Sequence, residues 1–408
     1  MKQIKIKNFG PIKSGFDGYN GYIKIHPVTV LCGNQGTGKS TIAKLVSTFS
    51  WLEKVLVRGY YKESEITKYN RFRKKHCAYH NIHNYFNENT YLEYTGEAYK
   101  FTYDNGGLTI EKTGMDNNYL MPQILYVPAE RNFMSAIEDA EKIKNLPGAL
   151  ATMLDEFVKA KKNLSSGLSL PFEGYAFHFD RSNRISWITG KDFKIRLHEA
   201  ASGFQSAIPL ILVSRYLLKK VQGKKESNLD RLSAEDKEKM DKAIVSILSD
   251  KSIDDEVRKS LIARLNTMIN YSCFINIIEE PEQNLFPSSQ RHLLNELLAI
   301  FNSQPGNELL ITTHSPYLLN YLTLAVKAHE IKLCGKKNIN EVLKSIVPLE
   351  SCVSSKSAAF YQITDSGSIS ILEKYEGLPS DSNYLNMHLD ETNKLFDQLL
   401  DLEEKCRS

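Results

Sequence analysis

A glycine-rich segment near the start of the chain constrains the fold more than any other feature, because it fits the phosphate-binding pattern G-x-x-x-x-G-K-[ST] without a gap. The segment consists of Gly33, Asn34, Gln35, Gly36, Thr37, Gly38, Lys39, Ser40 and Thr41. Residues 28–32 before it have the composition of a buried parallel strand, and residues 41–46 begin a helix. We therefore expect loop amides to bind nucleotide phosphates, with Lys39 on the β- and γ-phosphates and Ser40 on Mg²⁺.

A second apolar strand, predicted over residues 273–278, ends in two neighbouring carboxylates. Phosphoryl transfer beside a phosphate loop needs one carboxylate for the metal and one group for the attacking water. We assign Glu279 to Mg²⁺ and Glu280 to the water. The alternative is a strand that ends at a solvated acidic turn, but the upstream phosphate loop favours the catalytic assignment.

Two further segments carry side chains that could reach a bound nucleotide. The apolar residues 309–313 end at His314, and open α/β sheets bind ligands at the carboxyl ends of their strands. His314 is therefore expected to bond the γ-phosphate or to orient water. Ser202 and Gly203 open an apolar helix that also contains Gln205, and they offer a hydroxyl and N–H groups to an anion. Taken alone, such a Ser-Gly pair is more often a plain helix cap.

Together and in this order, the four motifs resemble the phosphate loop, signature motif, acidic strand and switch histidine of the ATP-binding-cassette (ABC) ATPases. Within that family, three segments resemble the soluble SMC, RecF-like and OLD-type ATPases: residues 6–12 (IKNFGPI), 280–287 (EPEQNLFP) and 312–316 (TTHSP). The resemblance implies an α/β fold of the ABC-ATPase P-loop NTPase type, with a mixed and parallel core sheet, an N-terminal antiparallel β part and helical insertions.

The resemblance also implies ATP and Mg²⁺ as cofactors and ATP hydrolysis as the activity. Two copies would enclose two nucleotides, with Ser202, Gly203 and Gln205 of one subunit facing the ATP of the other, in a homodimer or higher homo-oligomer. Such a protein would be a nucleotide-gated switch or sensor, and bacterial relatives of this form often look like components of DNA-directed or anti-phage defence systems. OLD-type relatives carry a TOPRIM nuclease domain, for which residues 315–408 offer no acidic constellation. A nuclease effector would then be a separate polypeptide.

The chain departs from the family pattern at three places. Glu279 stands where the family usually has Asp, and Phe204 stands where a second glycine is common. After the strand predicted over residues 123–127, the chain has Glu130 and Arg131, where many relatives place a glutamine that senses Mg²⁺. Arg131 could contact phosphate or form an ion pair with an acidic neighbour, and the sequence does not separate these two possibilities.

The motifs suggest an ATPase domain over residues 1–330, with insertions at about 50–119 and about 223–264, and a C-terminal hairpin and helix extension over residues 331–408. Alternation and turn residues predict hairpins over residues 92–110, with the turn at 104–107, and over residues 360–372. Further elements are expected as strands at 175–179, 184–189 and 193–197, an exposed charged helix within 224–242 and a helix at 389–402.

Basic and aromatic residues alternate in the first of these insertions. The basic side chains that we consider for nucleic-acid contact are Arg58, Lys68, Arg71, Arg73, Lys74 and Lys75. Basic groups bind phosphates, and interleaved aromatic rings stack on bases. The same pattern also fits a solvated helix whose aromatic face packs on the core, so DNA is one of two open interpretations.

Bulk properties limit the class of protein. The net charge of +4 over 408 residues is too small to indicate a nucleic-acid partner by itself. Six cysteines without a C-x-x-C pair favour a reduced chain without structural zinc. The N-terminus lacks a signal-peptide apolar region, and the longest apolar run, residues 207–213, is too short to span a bilayer. We expect a cytoplasmic protein without a membrane partner.

Two other functions remain open at this stage. The chain could be a scaffold that assembles and sequesters an effector in response to ATP with little turnover, for which the departures at Glu279 and Phe204 leave room. It could also be a RecF-like repair ATPase that loads onto DNA. A transporter subunit fits least, because the additional hairpins and the insertion at 223–264 do not suit one.

Overall fold

The computed structural model describes residues 1–114, 119–223, 234–250, 254–258, 270–372, 374–375, 378–379 and 383–407. Its strands are β1 (Gln3–Phe9), β2 (Gly15–Phe16), β3 (Ile23–Lys24), β4 (Val28–Gly33), β5 (Phe86–Thr95), β6 (Tyr99–Asp104), β7 (Gly107–Lys112), β8 (Pro122–Val127), β9 (Leu168–Ser169), β10 (Ala176–Asp180), β11 (Ile185–Thr189), β12 (Lys194–Arg196), β13 (Cys273–Glu279), β14 (Glu308–Thr313), β15 (Ala358–Ile363), β16 (Ser368–Ile371), β17 (Lys374–Tyr375) and β18 (Leu378–Pro379). Its α-helices are α1 (Lys39–Val57), α2 (Glu63–Thr67), α3 (Phe133–Ala136), α4 (Gly148–Asn163), α5 (Ser202–Gln222), α6 (Ala234–Ser249), α7 (Pro287–Asn302), α8 (Pro316–Lys332), α9 (Lys337–Ile346) and α10 (Tyr384–Arg407).

A seven-stranded sheet with the order β2-β16-β15-β4-β14-β13-β8 forms the centre of the molecule. The five strands from β15 to β8 are parallel, while β16 runs antiparallel to β15. Strands β4 and β13 are buried along their whole length, which explains why their sequences are mostly apolar. The α/β fold class is confirmed, and the strands predicted before the phosphate loop, the acidic pair and His314 lie side by side in this sheet as β4, β13 and β14, in the order β4-β14-β13.

The C-terminal hairpin predicted over residues 360–372 is part of the central sheet. Strand β15 pairs in parallel with β4 along Ala358–Ile363, and β16 pairs with β15. The structure therefore places this hairpin inside the core, although it lies beyond the domain boundary that the motifs suggest near residue 330. The physical reason is that the mostly buried β15 supplies the neighbour that β4 needs on its second edge. The helix predicted from residue 389 begins at Tyr384.

A five-stranded antiparallel sheet with the order β3-β1-β5-β6-β7 covers one face of the central sheet together with α1. The hairpin predicted around residues 104–107 is confirmed as β6 and β7, which pair in register from Tyr99 to Lys112. An aromatic cluster fills the space between α1 and this sheet: Phe49 stacks on Tyr94 at 5.2 Å and on Phe72 at 5.4 Å between ring centroids. Strands β5 to β7 thus complete the N-terminal antiparallel part.

Helices α4, α5, α7 and α8 cover the opposite face of the central sheet. Within this layer, Asn276 of β13 is buried and its Nδ2 donates to Ser214 Oγ of α5 at 3.1 Å. The three predicted strands before α5 are confirmed as β10, β11 and β12, which form a small sheet with β9. This small sheet leads the chain into the first turn of α5.

The charged helix predicted within residues 224–242 lies partly outside the described residues. Helix α6 accounts for its second half, whereas residues 224–233 are not described. Across the described residues, no helix has the length and apolarity needed to cross a membrane.

The aromatic cluster generates a stability prediction. Phe49 is fully buried among three aromatic rings, so Phe49→Ala should lower the free energy of unfolding by about 3–5 kcal/mol through lost burial and a residual cavity. Denaturant unfolding measures this change. The control Leu333→Ala truncates a side chain that is 74% exposed and should change stability by less than about 0.5 kcal/mol. Equal losses in both variants would contradict the assigned core.

Candidate functional site

Parallel strand pairing brings the predicted site residues to one edge of the central sheet. Glu279 at the end of β13 lies opposite Thr312 of β14, and Thr313 lies opposite Cys32 of β4. The phosphate loop, the acidic pair and His314 follow directly after these strands. The carboxyl ends of parallel strands share one edge of a sheet, where open α/β folds bind their ligands.

Two glycines of the phosphate loop are required by packing. Gly33 has φ +147°, and a Cβ there would lie 2.2 Å from the carbonyl oxygen of Ile363 in β15. Gly38 has φ +114°, and a Cβ there would lie 2.9 Å from Cγ1 of Ile12. At Gly36, with φ +79°, a Cβ would meet no atom within 4 Å. The loop is therefore tight against the protein on one side and open at its tip.

The other loop residues shape the backbone. The Asn34 carbonyl accepts from Thr37 Oγ1 at 2.9 Å, and the Asn34 side chain accepts from the N–H of Gln35 at 2.8 Å. Asn34 and Gln35 are exposed, while Thr37 and Thr41 are buried. The predicted loop residues thus divide into those that hold the loop and those that face outward.

Lys39 lies over the loop at the start of α1. Its Nζ donates to the carbonyls of Gly33 at 3.0 Å and Asn34 at 2.6 Å, and lies 3.4 Å from His314 Nδ1. Burial lowers the pKa of the Lys39 ammonium to about 8. This position of the ammonium, beside the loop and the helix N-terminus, is the one that phosphate recognition requires.

Ser40 and Glu279 form a paired set of oxygen ligands. Ser40 Oγ donates to Glu279 Oε2 at 3.0 Å, and Lys44 Nζ lies 3.8 Å from Glu279 Oε1. The second oxygen, Oε1, is buried without a hydrogen-bond partner, and burial raises the pKa of the carboxyl. A buried carboxylate oxygen beside a hydroxyl fits Mg²⁺, which prefers oxygen ligands and retains waters or phosphate oxygens for the rest. No cluster of three or more carboxylate, thiol or imidazole ligands occurs in the described ranges.

Glu280 and His314 are joined directly. His314 Nε2 lies 3.0 Å from Glu280 Oε1. Because the Lys39 ammonium can only donate, its approach to Nδ1 makes Nδ1 the acceptor, and the ring proton then sits on Nε2 and is donated to Glu280. The hydrogen bond from His314 lowers the pKa of the Glu280 carboxyl. Glu280 is therefore an ionised carboxylate whose orientation is set by the histidine.

Glu282 belongs to this site, although the sequence analysis gave it no role. Its Oε1 accepts from Thr313 Oγ1 and from the backbone N–H of His314, both at 2.7 Å. Burial raises the pKa of this carboxyl. Its signal in the sequence is a third carboxylate in the run Glu-Glu-Pro-Glu, but only the folded loop shows that it points toward β14.

The structure assigns Arg131 to neither of the two roles considered from the sequence. The guanidinium is fully buried and donates to the carbonyl oxygens of Glu279 and Glu280, each at 2.7 Å, and to that of Ser206 at 3.1 Å. Its Nη1 also donates to the Pro128 carbonyl at 3.4 Å. All of these partners are backbone groups, so Arg131 forms no hydrogen bond to a carboxylate and faces the protein interior. Glu130 lies exposed on the same 3₁₀ turn, Ala129–Asn132.

The predicted signature residues lie in the first turn of α5. Ser202 is exposed, and a Cβ on Gly203 would lie 2.7 Å from the carbonyl oxygen of Asn284, so this turn packs directly on the loop after the acidic strand. Phe204 packs against Tyr175 at 5.0 Å between ring centroids.

Gln205 bonds the backbone of the turn before α5. Its Nε2 donates to the carbonyls of His198 at 2.9 Å and Ala200 at 3.0 Å. The side-chain amide thus holds the turn that precedes α5. In this conformation the amide N–H groups bond the backbone, so a contact between Gln205 and a nucleotide would have to use Oε1 or another rotamer, and the contact stays a prediction. Ser202 and Gly203 remain predictions for a nucleotide held by a second copy.

The basic residues of the first insertion divide into a group that packs into the fold and a group that is exposed. Arg58 is buried, with its guanidinium 4.8 Å from the Tyr271 ring centroid, and Arg73 Nε donates to the carbonyl of His83 at 2.7 Å. These two arginines are therefore integrated into the fold. The exposed members are Lys68, Arg71, Lys74 and Lys75. Phe72 packs in the core, whereas the neighbouring Tyr69 is 81% exposed.

One family match covers part of this site. Residues 258–319, which include the acidic strand and His314, match a family described as AAA ATPase domain. No curated protein matches the chain. Among solved structures, the SMC head domain from Thermotoga maritima has 10% identity and a TM-score of 0.37, and the match covers 91% of this chain and 98% of that one.

Two other solved structures cover similar shares. The SmcHead bound to the C-winged helix domain of ScpA has 8% identity and a TM-score of 0.38, covering 90% of this chain and 96% of that one. The dimeric post-hydrolysis ATP-binding cassette MJ0796, bound to ADP and Pi, has 9% identity and a TM-score of 0.29, covering 92% and 100%. Because these TM-scores are low, the fold assignment rests on the strand order and site geometry. The chain has an α/β fold with a phosphate loop at the carboxyl edge of a largely parallel sheet, and residues 258–319 are similar to an AAA ATPase domain.

Proposed function

We propose that this protein binds and hydrolyses ATP with Mg²⁺ at the carboxyl edge of its central sheet. The observation that carries the proposal is the convergence of Lys39, the Ser40–Glu279 pair and the Glu280–His314 pair at that edge. Phosphoryl transfer depends on positioning and on charge stabilisation, and these groups supply both. The choice of ATP over GTP follows from the family resemblance and is tested by comparing both nucleotides.

Each group has a separate task in the proposed mechanism. The loop amides and Lys39 bind the β- and γ-phosphates, and Ser40 with Glu279 holds the metal ion. When bound, Mg²⁺ neutralises charge on the phosphate oxygens. The Glu280 carboxylate is ionised at neutral pH, its pKa is lowered further by the hydrogen bond from His314, and it orients and polarises the attacking water.

The nucleotide would also control assembly. At the N-terminus of α5, Ser202 is exposed and Gly203 is partly exposed. A helix N-terminus favours an anion, and here another molecule would supply it. ATP held by one copy would bond this turn of a second copy and close a homodimer, and hydrolysis would remove that bridge. We propose that this cycle is a switch or sensor in the cytoplasm that controls a separate effector, such as the nuclease of a DNA-directed or anti-phage system.

DNA as a direct ligand is a second candidate, favoured by one observation. Lys68, Arg71, Lys74 and Lys75 are exposed on consecutive short turns next to the exposed ring of Tyr69. Such an arrangement can bind phosphates and stack on a base.

Removing the loop lysine should weaken nucleotide binding without unfolding the protein. Lys39→Ala removes a charged donor from the phosphate loop, so the affinity for a fluorescent ATP analogue should fall about 10- to 100-fold. Lys327→Ala, which neutralises an exposed lysine of α8, is the matched control and should bind as the wild type does. Unchanged affinity in Lys39→Ala would exclude the loop as the phosphate site.

Removing the charge of Glu280 should separate binding from hydrolysis. Glu280→Gln keeps the shape of the side chain but cannot polarise water as a carboxylate does, so turnover should fall by about 100-fold or more. Because ATP then stays bound, the dimer should accumulate, which light scattering during size-exclusion chromatography detects. A variant that hydrolyses ATP at the wild-type rate would refute the role given to Glu280.

The exposed basic cluster makes the DNA candidate testable. Replacing Lys68, Arg71, Lys74 and Lys75 together by Ala should weaken binding to double-stranded DNA and reduce the salt dependence by about one unit for each lost phosphate contact. DNA-stimulated ATP turnover should fall with it. The control replaces Lys327, Lys332, Lys344 and Lys356, which changes the net charge equally. If both sets weaken binding equally, the effect is one of net charge and the cluster is not a DNA site.

A further inference from the structure

A fully buried arginine lies where three parts of the site meet. Arg131 follows β8, and its guanidinium donates to Glu279 and Glu280 at the end of β13 and to Ser206 in the first turns of α5. All of these acceptors are backbone carbonyl oxygens. A guanidinium is planar and presents its donors in a fixed fork, so it holds these carbonyls at set distances from one another.

One of these carbonyls belongs to a strained residue. Glu280 has φ +44°, a left-handed conformation that is costly for a residue with a side chain. Its backbone groups are held on both sides: the N–H donates to the Thr312 carbonyl at 3.0 Å, and the carbonyl accepts from the Gln283 N–H at 3.1 Å and from Arg131 Nη2 at 2.7 Å. The same backbone conformation aims the Glu280 carboxylate at His314. Arg131 therefore supports the orientation of the carboxylate without touching it.

The third carbonyl belongs to the helix that carries the signature residues. Ser206 lies one helical turn after Ser202, and its carbonyl accepts from Arg131 Nε. This turn also packs against the loop after Glu280, since a Cβ on Gly203 would lie 2.7 Å from the Asn284 carbonyl oxygen. A displacement of the first turn of α5 must therefore move the guanidinium, the carbonyl of Glu280 or both.

We propose that Arg131 is a positioning residue that couples the first turn of α5 to the carboxylate of Glu280. When that turn is held in place by a bound anion, the guanidinium holds the strained backbone of Glu280 in the orientation that serves the attacking water. When the turn moves, the support is lost and the carboxylate turns away. This proposal rests on the proposed function, and it adds the residue by which contact at α5 controls hydrolysis.

The test compares two variants of Arg131 with a matched control. Arg131→Met keeps most of the volume but removes every donor, and Arg131→Lys keeps the charge and supplies a single ammonium to the same carbonyls. The control is Arg215→Met, which removes an arginine of α5 that bonds Glu296 and the Ser169 carbonyl away from the site. Thermal unfolding, affinity for a fluorescent ATP analogue, single-turnover hydrolysis and amide hydrogen exchange are measured on the full chain.

Loss of positioning has a pattern that loss of stability alone does not produce. In Arg131→Met we expect affinity for the analogue to stay within about twofold, while the hydrolysis rate falls on the order of 100-fold, as misplacement of a catalytic group by about 1 Å does. Amide exchange should accelerate together in residues 279–285 and 202–208. Arg131→Lys should give intermediate values, and Arg215→Met should change neither rate nor exchange in these segments.

Two results would overturn the proposal. A folded Arg131 variant with wild-type hydrolysis and wild-type exchange would show that the guanidinium positions nothing. A variant that loses affinity and rate in equal proportion would instead make Arg131 part of phosphate binding. If Arg131→Met does not fold, Arg131→Lys decides by the same criteria. If the wild-type protein itself shows no ATP turnover, the proposed function fails. The coupling is then still tested by whether amide exchange accelerates together in residues 279–285 and 202–208 of Arg131→Met.

Discussion

Parallel pairing of β4, β14 and β13 is the constraint on which the rest of the site depends. These strands are buried and apolar, so they are stable only inside the sheet, and their register fixes where each one ends. Because the ends coincide, the phosphate loop, His314 and the acidic pair lie within bonding distance of one another. The chemistry of the site thus follows from hydrophobic burial, although none of its polar residues contributes to that burial.

The polar groups of the site form a continuous chain of contacts. Lys39 approaches His314, which donates to Glu280, and Ser40 donates to the neighbouring Glu279. Two buried charges of opposite sign support this chain through the backbone: Arg131 bonds the carbonyls of the acidic pair, and Glu282 bonds the N–H of His314. Burying a polar group is costly unless it is hydrogen-bonded, and the bonds of Arg131 and of Glu282 Oε1 also hold the backbone around the site, whereas Glu282 Oε2 is buried without a partner.

Strand β15, which pairs with β4 on the side opposite to β14, shows that the core is built from segments far apart in the sequence. Strand β15 lies in the C-terminal fifth of the sequence, yet Ile363 contacts Gly33 of the phosphate loop so closely that no other residue fits there. The N-terminal segment contacts the same loop through Ile12 and Gly38. Distant segments thus shape one loop, and a boundary drawn from motif positions alone did not anticipate it.

Local pattern in the sequence determined the phosphate loop, the central strands, the acidic pair and the position of His314, because glycine spacing and apolar runs are read from neighbouring residues. It also predicted the hairpins and the small strands before α5. Only the tertiary structure decided the roles of Arg131, Glu282 and Gln205, since each depends on a carbonyl or N–H whose position is set by long-range packing. The tertiary structure also showed that Arg58 is buried while the lysines nearby are exposed. The sequence could not show this, because an alternation of basic and aromatic residues does not indicate which side faces the core.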